Sequence, residues 1–207
     1  MDCREAAKKY ISRGWSVIPT QGKIPLIPWL EFQTRITNKD TVDLWWDKWP
    51  NANVGIITGK ISGITVIDID GEKGKESLKQ LRLAPTLMAT TPNGFHLVFL
   101  YNPSYPQGVN ILPGLDIRND GGFIVGAPSK GQDKLTKEEK NYYWIDSEIS
   151  PIELPKFDSI FHGPINIPKP EVKNPQWVEV LLKNGVQYVI NMFPLLWELI
   201  SHFDYED

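Results

Sequence analysis

The sequence predicts an α+β domain with a mixed or antiparallel sheet. Two observations predict this class: helical segments near the N-terminus, and several short apolar strands after them, joined by turns that contain glycine, proline and asparagine. The chain has 207 residues, of which 41% are hydrophobic and 11% aromatic. A chain of this size and composition can bury the core of one or two small domains, and it is not a disordered or collagen-like sequence.

The first predicted elements are a helix and a strand. Residues 4–13 place apolar side chains on one side of a helix that Gly14 ends, and residues 15–19 form an apolar strand. The run that follows, QGKIPLIPW, is expected to hold no regular structure, because Pro25 and Pro28 each lack a backbone donor.

A second helix and the main group of strands come next. Asn38 or Asp40 can cap the helix through its side-chain oxygen. Residues 53–58 and 64–70 are predicted strands, and the spacing of leucines predicts a helix over 75–83. Further strands are predicted at residues 87–90, 96–101, 115–118, 123–127 and 142–145.

The composition changes toward the C-terminus and suggests three parts. Residues 1–150 form one domain, and residues 151–175, which prolines punctuate, form a semi-rigid linker or a strap over that domain. Residues 176–207 are predicted to be a helical tail. The tail is apolar, so it either packs back on the domain or begins an accessory helical domain.

Charge and cysteine content exclude several classes of protein. The net charge is −3 and the pI is about 5.7, which excludes a globally basic nucleic-acid binder but not a local basic groove. Cys3 is the only cysteine, so a disulfide framework within the chain and a cysteine-cluster zinc site are excluded. The charged N-terminus does not resemble a signal peptide, and no apolar run is long enough for a membrane span. We therefore expect a soluble cytoplasmic protein that does not act at a membrane.

Two aspartates at the end of one strand are the first candidate site residues. Alternate strand side chains share a face, so Asp68 and Asp70 project together, beside Val66. Mg²⁺ or Mn²⁺, which prefer oxygen ligands, would neutralise two such neighbouring carboxylates. The alternative is a strand end where both aspartates are solvated or cap the following turn.

Two further segments contribute candidate residues. His96 enters an apolar strand directly after a turn of proline, asparagine and glycine. There it can donate to a phosphate or act in proton transfer as a catalytic residue, or it can be a half-buried side chain bonded to the turn. Asp116 and Arg118 share one strand face. They can be an acid for a metal ion and a cation for phosphate, or they can form a structural salt bridge. Together the three segments offer carboxylates for metal ions and cationic groups for a triphosphate, which two-metal phosphoryl transfer requires.

The ordered set of motifs resembles a known family. The patterns are D-h-D at 68–70, T-P-x-G-x-H-h-h-F at 91–99 and G-h-D-h-R-x-x-G-G-a-h-V-x-A-P-S at 114–129, with a Lys-x-Pro at 23–25 upstream. Over residues 4–145 the chain resembles the bifunctional primase/polymerase (prim-pol) N-terminal domain of the archaeo-eukaryotic primase superfamily. Each motif alone is weak, whereas their order and spacing together are specific.

This resemblance implies a fold and an activity. The fold would be an archaeo-eukaryotic primase-like core, an RRM-like sheet beside a small N-terminal α/β unit, with the helical tail after it. The activity would be that of a DNA primase and DNA polymerase, a nucleotidyltransferase that uses two Mg²⁺ or Mn²⁺ ions, with no zinc. Its partners would be a single-stranded DNA template, a primer and dNTP or NTP, with a helicase domain or protein as a further partner. The family is common on mobile genetic elements.

The resemblance also implies roles for single residues. Asp68, Asp70 and Asp116 match the metal-binding acids, and His96 matches the histidine that contacts the phosphates of the incoming nucleotide. Further candidate nucleotide contacts are Arg118, Ser129 and Lys23, of which Lys23 is as readily explained as an exposed loop lysine.

Two other functions stay open on the sequence alone. One is another metal-dependent phosphoryl-transfer enzyme, such as a nuclease, which would shorten DNA rather than extend it. The other is a non-catalytic module of a replication protein that binds nucleotides or single-stranded DNA without turnover.

Overall fold

The structure, a computed structural model, describes residues 1–81, 83–145, 149–157 and 160. The helices are α1 (Cys3–Ser12), α2 (Lys39–Lys48) and α3 (Gly71–Leu78), with a 3-10 helix at Leu30–Gln33. The strands are β1 (Val17–Gln21), β2 (Ile24–Pro25), β3 (Asn53–Ile57), β4 (Ile64–Asp70), β5 (Leu87–Thr91), β6 (Gly94–Leu100), β7 (Gly108–Leu112), β8 (Leu115–Arg118), β9 (Phe123–Gly126), β10 (Lys130–Gln132), β11 (Glu139–Asn141) and β12 (Tyr143–Trp144).

The strands form antiparallel sheets, which confirms the predicted mixture of helices with a sheet of this kind. A six-stranded sheet has the order β12-β5-β6-β4-β8-β7, and a four-stranded sheet has the order β2-β1-β3-β9. A short hairpin pairs β10 with β11. Strand β4 therefore lies in the interior of the larger sheet, with β6 and β8 as its two neighbours.

Strand β4 is buried on both faces for most of its length. Ile67 and Ile69 belong to a core that also contains Leu78 of α3 and Leu154. Val66 points to the other face and packs in a second core, with residues of α1, α2 and the four-stranded sheet. Only the aspartates at the carboxyl end of β4 are partly exposed. The larger sheet is thus the middle layer of the molecule.

Several predicted elements are confirmed, and the structure settles the choice of cap. Helix α1 and helix α2 lie where the sequence placed them, and the Asn38 side chain, not that of Asp40, accepts a hydrogen bond from the backbone N–H of Thr41. Strands β3, β4, β5, β6, β8 and β9 match their predictions within two residues at each end. The predicted strand at 142–145 is reduced to β12.

The predicted position of the third helix was wrong. Helix α3 begins at Gly71 and ends at Leu78, whereas the leucine spacing predicted residues 75–83. Gly71 has φ +64°, a left-handed conformation that lets the chain turn from β4 into the helix without a linker. Leu81 and Leu83 are buried, but in an irregular segment that follows the helix. Their apolar character therefore reflects the core, not helical periodicity.

The proline-rich run after β1 does contain regular structure, which corrects a second expectation. Strand β2 pairs with β1 through Gln21 opposite Ile24 and Thr20 opposite Pro25. Because β2 is an edge strand, the missing N–H of Pro25 removes no bond from the interior of the sheet. The 3-10 helix follows a few residues later.

The segment after the sheets lies along the larger one. The carbonyl oxygen of Ile152 accepts a hydrogen bond from Leu100 N–H, and that of Pro155 accepts one from the Tyr105 hydroxyl. Most of the proline-rich stretch 151–175 and the predicted helical tail 176–207 lie outside the described residues. Within the described part, no helix is both long enough and apolar enough to cross a bilayer.

A tight loop joins β10 to β11 and is held by one carboxylate. Asp133 accepts hydrogen bonds from the backbone N–H groups of Leu135 and Thr136 through Oδ1, and from Lys140 Nζ through Oδ2. The loop is also tied to the turn before β6, because Asn93 Oδ1 accepts a 2.7 Å hydrogen bond from the N–H of Lys134. These bonds fix the backbone of Lys134 beside the carboxyl end of β4.

Replacing Gly74 should destabilise the fold, although alanine is ordinarily the better helix former by about 1 kcal/mol. A Cβ atom at Gly74 would lie 2.3 Å from the carbonyl oxygen of Gly114, in the turn before β8. We expect Gly74→Ala to lower the free energy of unfolding by about 1–3 kcal/mol, as overpacking does. Urea denaturation measures it, with Glu76→Ala on the exposed face of α3 as the control. A Gly74→Ala protein as stable as the parent would show that α3 does not pack this closely.

The charge of Asp133 should make the stability of the folded protein depend on pH in the acid range. The hydrogen bond from Lys140, and then those from the two backbone N–H groups, hold the pKa of Asp133 well below its ordinary value. The ionised group therefore stabilises the fold above about pH 4, and this contribution is lost as the pH falls through the folded-state pKa.

Asp133→Asn tests this, because the amide keeps an acceptor for the two N–H groups but loses the charge. We expect a lower melting temperature than the parent at pH 7, with the difference shrinking toward pH 2. Thermal melts of both proteins across this range measure it. A difference that stays constant with pH would contradict the assignment.

Candidate active site

The three motifs that are far apart in sequence meet in one row across the larger sheet. Asp68 on β4 lies directly opposite His96 on β6 and directly opposite Asp116 on β8. Directly opposite residues in antiparallel strands point to the same face, so the three side chains share one face. This face is the one on which Val66 packs in the second core.

Arg118 joins the row from the next same-face position on β8. Its Nη2 atom lies 2.5 Å from Asp116 Oδ2 and 3.8 Å from Asp68 Oδ2. On the other side of Asp68, Oδ1 lies 3.4 Å from His96 Nε2. The Arg118 guanidinium therefore offsets the repulsion between two carboxylates that the register brings together.

The site is largely enclosed. The His96 side chain is 5% exposed and that of Asp68 is 16% exposed, whereas Asp116 and Arg118 are each a little above 20%. His96 Nδ1 is buried and has no hydrogen-bond partner in the part of the chain that the structure describes. A ligand that approaches the row therefore meets the edge of Asp68 and the exposed parts of Asp116 and Arg118.

The electrostatic surroundings keep Asp68 ionised. Burial raises the pKa of this carboxyl group, but the attraction of His96 and its hydrogen bond, with the charges of Lys23 and Arg118, outweigh burial and lower the pKa. Lys23 lies in the turn between β1 and β2 and is exposed. The smaller sheet thus contributes a cation near the row of the larger one.

Asp70 shares the face of Asp68 but has a different environment. It ends β4 opposite Gly94, and its Oδ2 atom is paired with Lys134 Nζ. A Cβ atom at Gly94 would lie 1.9 Å from the carbonyl oxygen of Ile69, so only glycine allows β6 to start this close to the end of β4.

The Asp116 carboxylate accepts a hydrogen bond from the backbone as well as from Arg118. Its Oδ1 accepts a 2.7 Å hydrogen bond from Asn110 N–H.

The donor set suits a hard divalent cation, although the carboxylates are engaged with basic side chains. Carboxylate oxygens on one sheet face are the ligands that Mg²⁺ and Mn²⁺ prefer. In the described ranges, no three histidine, cysteine, aspartate or glutamate side chains are gathered tightly enough to enclose an ion. Arg118 and Lys134 neutralise Asp116 and Asp70, so a cation there would replace their ammonium and guanidinium groups.

Ser129 is the one candidate residue that the structure does not bring to this surface. Its side chain is fully buried, and its hydroxyl accepts a 3.0 Å hydrogen bond from the N–H of Val54 on β3. The Cys3 sulfur lies 3.8 Å away on its other side. The hydroxyl therefore ties the end of β9 to β3, and its contact with a nucleotide remains a prediction.

Two residues beside the row, Tyr142 and Lys134, were not predicted from the sequence. The Tyr142 ring is buried with its centroid 6.0 Å from that of His96, and burial, followed by the charges of Asp68 and Asp70, raises the pKa of its hydroxyl. Lys134 lies in a polar loop without a recognisable motif. The apolar pattern indicated a strand at Tyr142, but neither residue carries a local signal that places it beside the aspartates.

Comparison with known proteins identifies the family of the chain. The family model for the N-terminal domain of bifunctional DNA primase/polymerase matches residues 7–157, which is more than half of the chain. No match is found among curated proteins. The matched range contains the row of Asp68, His96 and Asp116 and all of the described sheets. The chain therefore belongs to the Prim-Pol family of bifunctional DNA primase/polymerase N-terminal domains.

Proposed function

We propose that this chain carries out template-directed nucleotide transfer, adding dNTP or NTP to a 3′-hydroxyl for primer synthesis or extension. The observation that carries the proposal is the row of Asp68, His96 and Asp116 across three neighbouring strands. The row combines acids for cation binding with groups that attract phosphate, on one partly exposed face. Membership of the Prim-Pol family supports the same reaction class.

Asp68, Asp70 and Asp116 are the residues that would hold Mg²⁺ or Mn²⁺. Bound there, such ions lower the pKa of the attacking hydroxyl and offset charge on the departing pyrophosphate. In the reaction the 3′-oxygen would form a bond to the α-phosphorus, the bond from this phosphorus to the bridging oxygen would break, and the hydroxyl proton would pass to solvent water. Pyrophosphate is the leaving group, so atoms and charge balance.

The cationic residues of the site would bind the triphosphate. Arg118 lies between Asp116 and Asp68, and its guanidinium would be available to contact phosphate when these acids hold a cation instead. Lys23, in the turn between β1 and β2, is close enough for its charge to help lower the pKa of Asp68. His96 would donate from Nε2 to a phosphate oxygen, because this atom lies 3.4 Å from Asp68 Oδ1 and so faces the row of acids. Charge from these groups matters most as the leaving group develops.

The remaining parts of the proposal concern architecture and setting. The larger sheet would be the RRM-like sheet of a primase core, and α1, α2 and the smaller sheet its N-terminal unit. Residues 1–150 would be the catalytic domain, 151–175 a linker or strap, and 176–207 a helical tail. The protein would act in the cytoplasm on a single-stranded DNA template with a primer, and with a helicase as a further partner.

Neutralising the central acids should abolish nucleotide addition. We expect Asp68→Asn and Asp116→Asn each to reduce primer extension by at least about 100-fold, because each removes an anionic ligand for the cations that would stabilise the transition state. Extension of a labelled primer and release of pyrophosphate measure it, with Mg²⁺ or Mn²⁺ and with each nucleotide type.

Asp47→Asn is the matched control, since Asp47 is an exposed acid on α2. Undiminished extension by Asp68→Asn would overturn the proposal. Shortening of the DNA by the parent protein would favour a nuclease instead, and nucleotide binding without turnover would favour a non-catalytic module.

Divalent cations should bind at the same acids. We expect titration calorimetry to detect Mn²⁺ binding to the parent and to Asp47→Asn, and at least about tenfold weaker binding to Asp68→Asn, because a ligand and its charge are lost. Removal of the ion with EDTA should stop primer extension, and added Mg²⁺ or Mn²⁺ should restore it. Equal Mn²⁺ affinity for the parent and Asp68→Asn would place the cation elsewhere.

A further inference from the structure

A second concave surface lies beside the row of acids. It is a cleft of about 1040 Å³, bordered by the start of α3, the turn between β5 and β6, and the loop and strand at 133–141. Asp70 lies on its wall, whereas Asp68, His96 and Asp116 do not. The cleft therefore touches the candidate active site at one carboxylate and extends away from it.

The cleft is richer in basic side chains than the chain as a whole. Four lysines and three acids line it, in a protein whose net charge is −3. The lysines are Lys73, Lys75, Lys134 and Lys140. Lys73 is exposed and has no ion-pair partner among the residues that the structure describes. Lys134 is paired with Asp70, but its side chain is 61% exposed, and surface ion pairs of this kind are weak. Phosphate groups can therefore bind Lys73 directly and can compete with Asp70 for Lys134.

Large apolar side chains are exposed in the same cleft. Leu135 is 92% exposed and Tyr143 is 58% exposed. Tyr143 lies on the edge strand β12 opposite Thr90, one position away from Trp144, which is opposite Ala89. Since Ala89 is also opposite His96, Tyr143 lies on the other face of the sheet from the row of acids. The cleft thus passes around the end of the sheet, from Tyr143 to Asp70.

We propose that this cleft binds single-stranded nucleic acid, with backbone phosphates on Lys73 and Lys134 and a base stacked on Tyr143. Sites for single strands combine a positively charged groove with aromatic rings on which bases stack, and both features occur here. A cleft of about 1040 Å³ is at the upper end of the range for small-molecule pockets, so it has room for more than one nucleotide. The proposal rests on the proposed function for the role of the strand, which would be led past Asp70 as template.

Strand binding can be measured without nucleotide addition. The probe is a fluorescein-labelled oligo-dT of about 12 nucleotides, a length within the range that single-strand sites cover, and its anisotropy is followed with the full chain in the presence of EDTA. We expect Lys73→Gln/Lys134→Gln to weaken binding by about 25-fold at about 0.1 M salt and to reduce the salt slope by about 1.4, since each phosphate contact contributes about 0.7.

The aromatic contribution has its own pair of variants. We expect Tyr143→Ala to weaken binding at least about fivefold, and Tyr143→Phe to bind like the parent, because the ring and not the hydroxyl stacks on a base. Lys60→Gln is the control for charge, since Lys60 is exposed and lies beyond the opposite end of β4 from Asp70. Thermal melts of each variant confirm that it is folded.

The outcomes separate this proposal from the proposed function. Normal oligo-dT binding by Asp68→Asn supports the cleft, even where the parent adds no nucleotide. Binding of an unlabelled nucleoside triphosphate is measured as well. If Lys73→Gln/Lys134→Gln loses this binding but binds oligo-dT like the parent, the cleft is a nucleotide site and the proposal is overturned. A parent that does not bind oligo-dT, or cleft variants that bind it no more weakly than Lys60→Gln, would overturn it as well.

Discussion

The register of β4 between β6 and β8 is the constraint on which the rest of the site depends. It places Asp68 directly opposite both His96 and Asp116, so an acid in the interior of a sheet has an acid on one side and an imidazole on the other. Two carboxylates in such a row repel each other unless cations lie close. Arg118, two residues after Asp116, supplies the compensating charge from the same strand face.

The hydrophobic core enforces this register. Val66 packs on one face of β4 while Ile67 and Ile69 pack on the other, and a shift by one residue would move all three to the wrong face and bury Asp68 among apolar side chains. The packing of both cores and the alignment of the site are therefore consequences of one strand pattern. Helix α3 begins at Gly71, directly after the last residue of β4, and so lies at the end of the sheet where Asp70 is.

The sequence predicted the parts of this arrangement that have a local signal. Alternation along 64–70 placed Asp68 and Asp70 on one face, and the apolar patterns identified α1, α2 and most strands. Strands β10 and β11 were missed because their side chains are polar and largely exposed. Strand β7 contains apolar residues, but they do not alternate with polar ones, and its register with β8 shifts between Gly108 and Leu112. Lys134 was missed because its place beside Asp70 depends on a hydrogen bond from its own N–H to Asn93, which is distant in sequence. Such long-range contacts leave no pattern in the loop itself.

The pairing of Arg118 with Asp116, and of Lys134 with Asp70, has a consequence for the order of assembly. Because the counterions of these acids belong to the same polypeptide, the closely spaced acids do not oppose folding through self-repulsion. Charge repulsion among these acids therefore does not have to be relieved by a ligand for the domain to fold. Under the proposed function, binding of a divalent ion would exchange these internal cations for an external one, and the side chains released would favour phosphate binding. Under the proposed function, ion and nucleotide would each raise the affinity for the other by the same factor.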